Sequence, residues 1–272
     1  MAMQRSIPLF QVDAFSSEPF GGNPAAVCLL DAPLPATTMQ LIATEMNLSE
    51  TAFVVPPAPD GSRGLRWFTP ETEVPLCGHA TLATAHVLLR ESAQPGPLRF
   101  DTLSGILVVH DEGDGWLRMD FPADPPAPSP PPKGLLEALG CSLDSTAVKG
   151  EKLWLVRVPD EERVRALEPV YALLAQVDLG GTALGVSVTA PGSGDTDFVS
   201  RFFGPWVGVD EDPVTGVAHT VLGPYWAGET GRPELTARQV SKREGSLTVR
   251  VVGDRVHLSG QAVTTVRGEL LV

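Results

Sequence analysis

Alternating side chains at the start of the chain predict a β-strand. One face would carry Ile7, Leu9, Gln11 and Asp13, and the other Phe10 and Val12. A glycine-rich turn leads to a second strand at Ala25–Leu30. Apolar residues then recur at helical spacing between Pro35 and Asn47. Further strands are predicted at 51–55, 64–68, 98–102, 105–110, 116–121, 152–158, 184–189, 197–202, 247–252, 255–258 and 261–266. Strands therefore dominate the predicted fold.

Two segments of small and apolar residues predict buried helices, one after Gly78 and one after Gly216. The second contains Pro224, which is expected to kink or end it. Residues 161–176 are predicted to be broadly helical despite Pro169. Seven prolines between residues 122 and 132 exclude a helix or a central strand and predict an extended crossing between two halves.

The loops before the two buried helices resemble each other. The first reads Leu76-Cys77-Gly78-His79-Ala80-Thr81, and the second reads Val214-Thr215-Gly216-Val217-Ala218-His219-Thr220. They lie about half the chain apart, which favours two similar domains facing each other. A chance likeness is the alternative.

Composition narrows the range of partners. The chain has 272 residues with a formal net charge of −13, so we expect neither a nucleic-acid partner nor an anionic membrane surface. An anionic substrate is not excluded, because local dipoles in a pocket can outweigh a distant net charge. The three cysteines are widely spaced and form no metal motif, the start has no signal-peptide pattern, and no apolar run could span a membrane. A cytoplasmic protein with reduced thiols is predicted.

Candidate chemistry begins with the glycines at the two helix starts. Backbone amides at a helix N-terminus bind carboxylates, and Gly78 and Gly216 would let a ligand approach closely. Ordinary capping is the alternative. Glu50, in Asn47-Leu48-Ser49-Glu50-Thr51-Ala52-Phe53, is a candidate acid–base, since apolar neighbours would partly desolvate it. A surface turn is the alternative.

Other polar residues near these loops have open roles. Asp212 would accept a proton, orient a histidine or shape its turn with Pro213. His79, at a helix start, is expected to be neutral and to donate a hydrogen bond or pass a proton. A satisfied buried histidine is the alternative, and His219 is undecided. Cys77 has Thr215 at the matching position, which excludes a pair of catalytic thiols and favours a small packing residue or an inactive remnant. Asn23 follows a tight turn that would present its amide to the cleft.

Several known motifs are absent from the sequence. It contains no dinucleotide-binding fingerprint, phosphate-binding loop, zinc-protease motif or nucleophile elbow. No lysine stands in an evident cofactor-binding setting. No cofactor and no metal site is therefore predicted.

In their order along nearly the whole chain, the motifs resemble the PhzF-like family. They are Phe10-Gln11-Val12-Asp13-Ala14-Phe15, Phe20-Gly21-Gly22-Asn23-Pro24-Ala25-Ala26-Val27, Asn47 to Phe53, Leu65-Arg66-Trp67-Phe68-Thr69-Pro70, Glu73 to Thr81, Arg201-Phe202-Phe203-Gly204-Pro205-Trp206, and Glu211 to Leu222. The resemblance implies an α+β fold like that of diaminopimelate epimerase, with two similar domains that each wrap a sheet around a central helix. The site would lie in the cleft between residues 1–114, joined by a returning strand at 262–272, and residues 115–261. Family members commonly form homodimers.

The resemblance also implies residue roles. Glu50 would move a proton between carbons of a small carboxylic acid, assisted by His79 and Asp212. The implied substrate-binding residues are Asn23, Ser49, Cys77, Gly78, Thr215, Gly216 and Val217. Val217 stands where the family usually has serine, which puts a phenazine-type substrate in doubt more than the reaction class. An amino-acid racemase or epimerase, or a non-catalytic carboxylate-binding protein with this fold, are the alternatives.

Overall fold

The computed structural model describes residues 6–143 and 145–272. The chain divides into two compact units, Met1–Asp120 with Ser259–Val272, and Phe121–Leu258. None of the helices in the described part of the chain is long and apolar enough to cross a membrane.

The secondary structure alternates many strands with few helices. The strands are β1 (Ser6–Ala14), β2 (Asn23–Leu29), β3 (Glu50–Val54), β4 (Arg63–Phe68), β5 (Glu73–Val74), β6 (Leu98–Thr102), β7 (Gly105–Gly113), β8 (Trp116–Pro122), β9 (Ala127–Pro128), β10 (Thr146–Lys149), β11 (Leu153–Arg157), β12 (Gly185–Pro191), β13 (Phe198–Gly204), β14 (Val209–Asp212), β15 (Glu234–Gln239), β16 (Gly245–Val252), β17 (Arg255–Gly260) and β18 (Ala262–Leu271). The α-helices are α1 (Ala36–Met46), α2 (Gly78–His86), α3 (Leu135–Leu139), α4 (Glu161–Arg165), α5 (Tyr171–Leu174) and α6 (Gly216–Thr230), with a π-helical turn at Val87–Glu91 and a 3₁₀ turn at Pro205–Val207.

In the first unit a sheet surrounds α2. Its strands pair in the order β18, β1, β2, β3, β4, β6, β7, β8, with β5 also on β4, and the pairs β2/β3 and β4/β6 are parallel. Helix α2 contacts β1, β2, β3 and β18. Seven of its nine residues are buried, from His79 to Ala85, which explains why its sequence is apolar or small on every side.

Helix α1 covers another face of the first unit. Met39, Ile42 and Ala43 are its buried residues, and they join a core cluster with Phe53 and Phe68. The helix ends at Asn47, whose φ of 49° is left-handed and whose amide donates to the carbonyl of Ala43. This turn sends the chain directly into β3, which begins at Glu50.

In the second unit the strands pair in the order β9, β10, β11, β12, β13, β15, β16, with β14 also on β13. The pairs β11/β12 and β13/β15 are parallel. Helix α6 contacts β11, β15 and β16. A separate apolar cluster contains buried residues of α3, α4 and α5 with Val156, Val188 and Val199 of the sheet.

Arg201 of β13 joins several elements of the second unit. Its guanidinium makes two bonds with the Glu211 carboxylate, at 2.7 and 2.9 Å, and donates to the carbonyls of Val164 and Leu167 at 3.2 and 2.8 Å. Because Glu211 directly precedes Asp212, this buried ion pair holds the strand that ends at a candidate site residue.

The structure corrects one expectation about proline and removes one of the two alternatives in another. The helix predicted over residues 161–176 is two short helices, α4 and α5, because Pro169 in the connecting segment cannot donate a helical hydrogen bond. Pro224 does not end α6, which runs from Gly216 to Thr230. The carbonyl of Thr220, which loses its helical donor at Pro224, accepts instead from the backbone amide of Asp124 at 3.0 Å.

Candidate active site

Glu50 and His79 form a close pair inside the first unit. Glu50 is the first residue of β3 and His79 the second residue of α2. The imidazole Nε2 lies 3.1 Å from the carboxylate Oε2, and the two side chains are 6% and 18% exposed. Although this distance is that of an ion pair, the two groups are not aligned as a hydrogen bond, and Oε2 has no hydrogen-bond partner. The pair therefore contains a buried carboxylate oxygen whose lone pair is unused.

Asn23 links this pair to Ser49. Its Nδ2 lies 3.2 Å from His79 Nδ1, and its Oδ1 accepts the Ser49 hydroxyl at 3.2 Å. In this orientation the amide donates to an unprotonated Nδ1. A half-turn of the Asn23 amide would place Oδ1 where it accepts from an Nδ1–H, as a charged imidazolium requires.

A tight turn places Asn23 at the start of β2. Gly22 has a φ of +60°, and a Cβ there would lie 2.1 Å from the carbonyl oxygen of Ala14, so only glycine fits. The backbone amide of Phe20 donates to the buried Asp13 carboxylate at 2.7 Å. Phe20 is 80% exposed and has a left-handed φ of 73°. The conformation of Gly22 and the hydrogen bond from the Phe20 amide to Asp13 thus fix the turn, while the Phe20 ring lies in solvent.

The charge of His79 is set by its neighbours. Burial lowers the pKa of His79, but the Cys77 thiol group and the Glu50 carboxylate act against burial and hold this pKa well above its ordinary value. Of these two neighbours, the carboxylate is the one that bears a charge at neutral pH, because burial, together with Glu50, raises the pKa of Cys77. The expectation of a neutral His79 is therefore wrong, since the adjacent carboxylate outweighs the helix start.

Cys77 directly precedes α2 and packs against His79. Its sulfur lies 3.5 Å from Nδ1 and 4.0 Å from Nε2 of the ring. Because burial raises the pKa of its thiol, Cys77 is neutral at physiological pH. One ligand atom each from Glu50, Cys77 and His79 lie within 4.8 Å of one another.

The start of α2 has no side-chain cap. Cys77 is the N-cap residue and its side chain accepts no capping hydrogen bond. The next residues, Gly78 and His79, begin the first turn. Their amides lie at the positive end of the helix dipole, which suits an anion.

In the second unit, Asp212 and Thr215 belong to one hydrogen-bonded group. The Thr215 hydroxyl donates to the Asp212 carboxylate at 2.5 Å. Gln239, fully buried on β15, donates to the carbonyl of Asp212 at 2.7 Å and accepts the amide of Thr215 at 2.9 Å. Sequence reasoning missed Gln239 because it lies in a strand that was not predicted; a glutamine in an otherwise alternating strand is its only signal.

The start of α6 repeats the arrangement at α2. Thr215 is the N-cap residue without a side-chain capping bond, and Gly216 and Val217 follow it. His219 is fully buried and its Nδ1 donates to the carbonyl of Thr215 at 2.8 Å. Burial lowers the pKa of His219 to about 4, so this ring is neutral. His219 thus supports the Thr215 loop and is not a proton donor at physiological pH.

The structure therefore brings Asn23, Ser49, Glu50, Cys77 and His79 together within the first unit. The backbone of Gly78 lies beside this group. Within the second unit it joins Asp212 to Thr215, next to Gly216 and Val217.

Known proteins with related sequences and structures match nearly the whole chain. The family model described as phenazine biosynthesis-like protein matches residues 12–268. An uncharacterized isomerase of Pseudomonas aeruginosa is 53% identical over 265 residues, which cover 97% of this chain and 98% of the relative. The crystal structure of a PhzF-family phenazine biosynthesis protein from Enterococcus faecalis has a TM-score of 0.92 at 43% identity, covering 98% of this chain and 100% of that one.

A more distant structure shares the fold alone. The hydroxyproline epimerase from Agrobacterium vitis is 12% identical, with a TM-score of 0.63 over 100% of this chain and 94% of that one. The expected resemblance and the expected α+β fold class are both confirmed.

Proposed function

Because the chain belongs to the phenazine biosynthesis-like family, we propose that it is an isomerase that moves a proton on a small carboxylic acid by general acid–base catalysis through Glu50. The proposed reaction uses no cofactor. The observation that carries the proposal is the buried Glu50 Oε2, which has no hydrogen-bond partner and lies 3.1 Å from His79 Nε2.

Glu50 has the properties of a carbon base. A buried oxygen without a hydrogen-bond donor loses no existing bond when it takes a proton from substrate. The raised pKa of His79 places an imidazolium charge 3.1 Å from this carboxylate oxygen. The proton would come from a carbon made acidic by conjugation to the substrate carboxylate.

The same group would stabilise the negative charge that develops on the substrate. The imidazolium of His79 supplies a fixed positive charge, and the amides of Gly78 and His79 supply donors at the start of α2. These dipoles are already oriented before the reaction, so they need no rearrangement in the transition state. Asn23 and Ser49 would hold the ring of His79 in place.

In the second unit, Asp212 is the candidate for proton return and Gly216 for a second carboxylate contact. The Thr215 hydroxyl and Gln239 hold Asp212 in one orientation. Val217 offers a backbone amide but no hydroxyl, so we expect a substrate that needs no side-chain hydrogen bond at this position. That both helix starts serve one substrate stays a prediction.

Deuterium incorporation tests the proposal. The wild type, Glu50→Gln and a control, Glu45→Gln, are incubated in heavy water with a panel of amino acids and cyclic unsaturated carboxylic acids, and products are read by mass spectrometry and NMR. Glu45 is an exposed carboxylate on α1, so its replacement controls for loss of charge alone. We expect incorporation with the wild type and the control and none with Glu50→Gln.

The outcome also separates the alternatives. Deuterium at a new carbon indicates double-bond migration, whereas deuterium at the original carbon with inversion indicates an epimerase or racemase. Equal incorporation by wild type and Glu50→Gln would remove Glu50 from the mechanism. Binding of a panel acid that is released unlabelled would support a carboxylate-binding protein instead.

A further inference from the structure

The chemistry of Glu50, Cys77 and His79 extends beyond proton transfer. These side chains offer a carboxylate oxygen, a sulfur and an imidazole nitrogen within 4.8 Å of one another, in a site where Cys77 and His79 are buried. We propose that this cluster binds a thiophilic divalent cation, zinc, with Glu50, Cys77 and His79 as its three protein ligands. The binding itself does not depend on the proposed reaction, but its inhibitory consequence rests on the proposed function.

The distances between ligand atoms suit a tetrahedral zinc ion. Bond lengths of about 2.3 Å to sulfur and about 2.0–2.1 Å to nitrogen or oxygen place N and S about 3.5 Å apart and N and O about 3.3 Å apart. Around His79 Nε2, the sulfur of Cys77 lies at 4.0 Å and Oε2 of Glu50 at 3.1 Å. Both differ from the ideal by about half an ångström or less. The third distance, between the sulfur of Cys77 and the carboxylate oxygen of Glu50, is within 4.8 Å. Rotation of the two side chains would have to bring these atoms to about 3.5 Å for all three bonds to form.

The remaining nitrogen of His79, Nδ1, faces the side-chain amide of Asn23. When Nε2 binds a metal, Nδ1 carries the proton and needs an acceptor. A half-turn of the Asn23 amide presents Oδ1 to Nδ1, and the freed Nδ2 then donates to the Ser49 hydroxyl. The group that orients His79 for proton transfer would thus also orient it for the metal.

Charge balance favours a divalent ion over a monovalent one. Bound as thiolate and carboxylate, Cys77 and Glu50 carry two negative charges, which offset both the ion and the positive start of α2. Binding releases the proton of the Cys77 thiol and any second proton of His79. The affinity for zinc should therefore rise with pH, by up to about tenfold per pH unit for each proton released.

Three protein ligands leave one tetrahedral position open, which water or a substrate carboxylate would occupy. The metal would use the lone pair of Glu50 that the proposed reaction needs. Zinc is thus expected to inhibit proton transfer, with reversal by a chelator.

Cobalt(II) provides a direct test, because a cobalt–thiolate bond gives a charge-transfer band in the near ultraviolet and tetrahedral cobalt gives visible bands. Chelator-treated, reduced wild-type protein is titrated with cobalt chloride, beside Cys77→Ser and the control Cys141→Ser. Circular dichroism checks that each variant is folded. We expect the bands in the wild type and in Cys141→Ser, their absence in Cys77→Ser, and their loss when zinc displaces cobalt. Asn23→Ala should weaken binding by about 10–100-fold.

Several results would overturn the site. They are the absence of the bands in the wild type, their persistence in folded Cys77→Ser, and unchanged affinity and spectrum in Glu50→Gln. The spectra do not depend on catalysis. Failure of metal binding is therefore distinguishable from failure of the proposed function, which is measured by deuterium incorporation in the presence of chelator.

Discussion

Replacing Glu50 by glutamine should release the proton that His79 holds at neutral pH. The substitution keeps the size of the side chain and removes the negative charge 3.1 Å from Nε2. At that distance, with an effective dielectric constant of about 20, the attraction between unit charges is about 5 kcal/mol. The cost of removing each charge from water, several kcal/mol, offsets part of this attraction. Without Glu50, burial still lowers the pKa of His79 and only the contact with the Cys77 thiol, which burial keeps neutral, opposes it, so this pKa should fall in Glu50→Gln.

The assay is a pH titration of the histidine ring resonances by NMR, with the His79 signals assigned from a His79→Gln spectrum. The chain has five histidines, and His219 is an internal control because burial lowers its pKa to about 4. We expect His79 to stay protonated above pH 6.5 in the wild type and to lose its proton in Glu50→Gln, with His219 unchanged. The reasoning would be refuted if the pKa of His79 in the wild type were at or below its ordinary value, or if this pKa were the same in Glu50→Gln.

The same charge pair predicts how stability changes with pH. Because the pKa of His79 in the folded wild type lies above its unfolded value of 6.5, the stabilisation is fully present below pH 6.5. It is lost as pH rises through the folded pKa, with a slope of at most about 1.4 kcal/mol per pH unit. Glu50→Gln should lack this fall, which urea unfolding at a series of pH values would show.

Three further predictions concern the free energy of unfolding in urea. Gly228→Ala should raise the free energy of unfolding by about 0.5–1 kcal/mol, because a Cβ there meets open space. Gly223→Ala should lower it by about 1–2 kcal/mol, because its Cβ would lie 2.6 Å from a valine of β16. Equal effects would contradict the packing of α6. Arg201→Lys should lower the free energy of unfolding by about 3 kcal/mol, because the two-bond ion pair and the carbonyl contacts are lost. An unchanged free energy of unfolding would contradict the conclusion that Arg201 joins elements of the second unit. Phe20→Gly should raise it by about 1 kcal/mol by relieving the left-handed φ, and a loss would mean that the exposed ring packs in solution.

The sequence predicts elements where local pattern and tertiary environment agree. Helix α1 was predicted at Pro35–Asn47 and is found at Ala36–Met46, because its apolar spacing and its end at Asn47 act locally. The helix starts at Gly78 and Gly216 were also predicted, since small residues on every side indicate a helix enclosed by a sheet.

Other features depend on contacts that no local pattern contains. The strands β10, β14 and β15 were not predicted. β10 and β14 are four residues each, and β15 has only two buried apolar residues, Leu235 and Ala237, between polar ones. At Pro224 the amide of Asp124, a hundred residues away in sequence, donates to the Thr220 carbonyl that lacks a helical donor.

The candidate site shows the same division. Glu50 and His79 were predicted through the family resemblance, yet their contact could not be read from the sequence, since it depends on how β3 and α2 lie in the fold. The charge of His79 was predicted wrongly because the helix start was visible in the sequence and the adjacent carboxylate was not.

The pairing of β1 with β18 places Ser6 opposite Leu271. During synthesis on the ribosome, β1 cannot pair with β18 until the whole of the second unit has been made. The second unit is continuous in sequence from Phe121 to Leu258 and can fold as it emerges, whereas the sheet of the first unit is completed last. Helix α2, which carries His79, therefore gains its contact with β18 only after the second unit has been made. The adjacency of Ser6 and Leu271 also makes a circular permutant, with these ends joined and new ones opened in an exposed loop, a compatible order for the same fold.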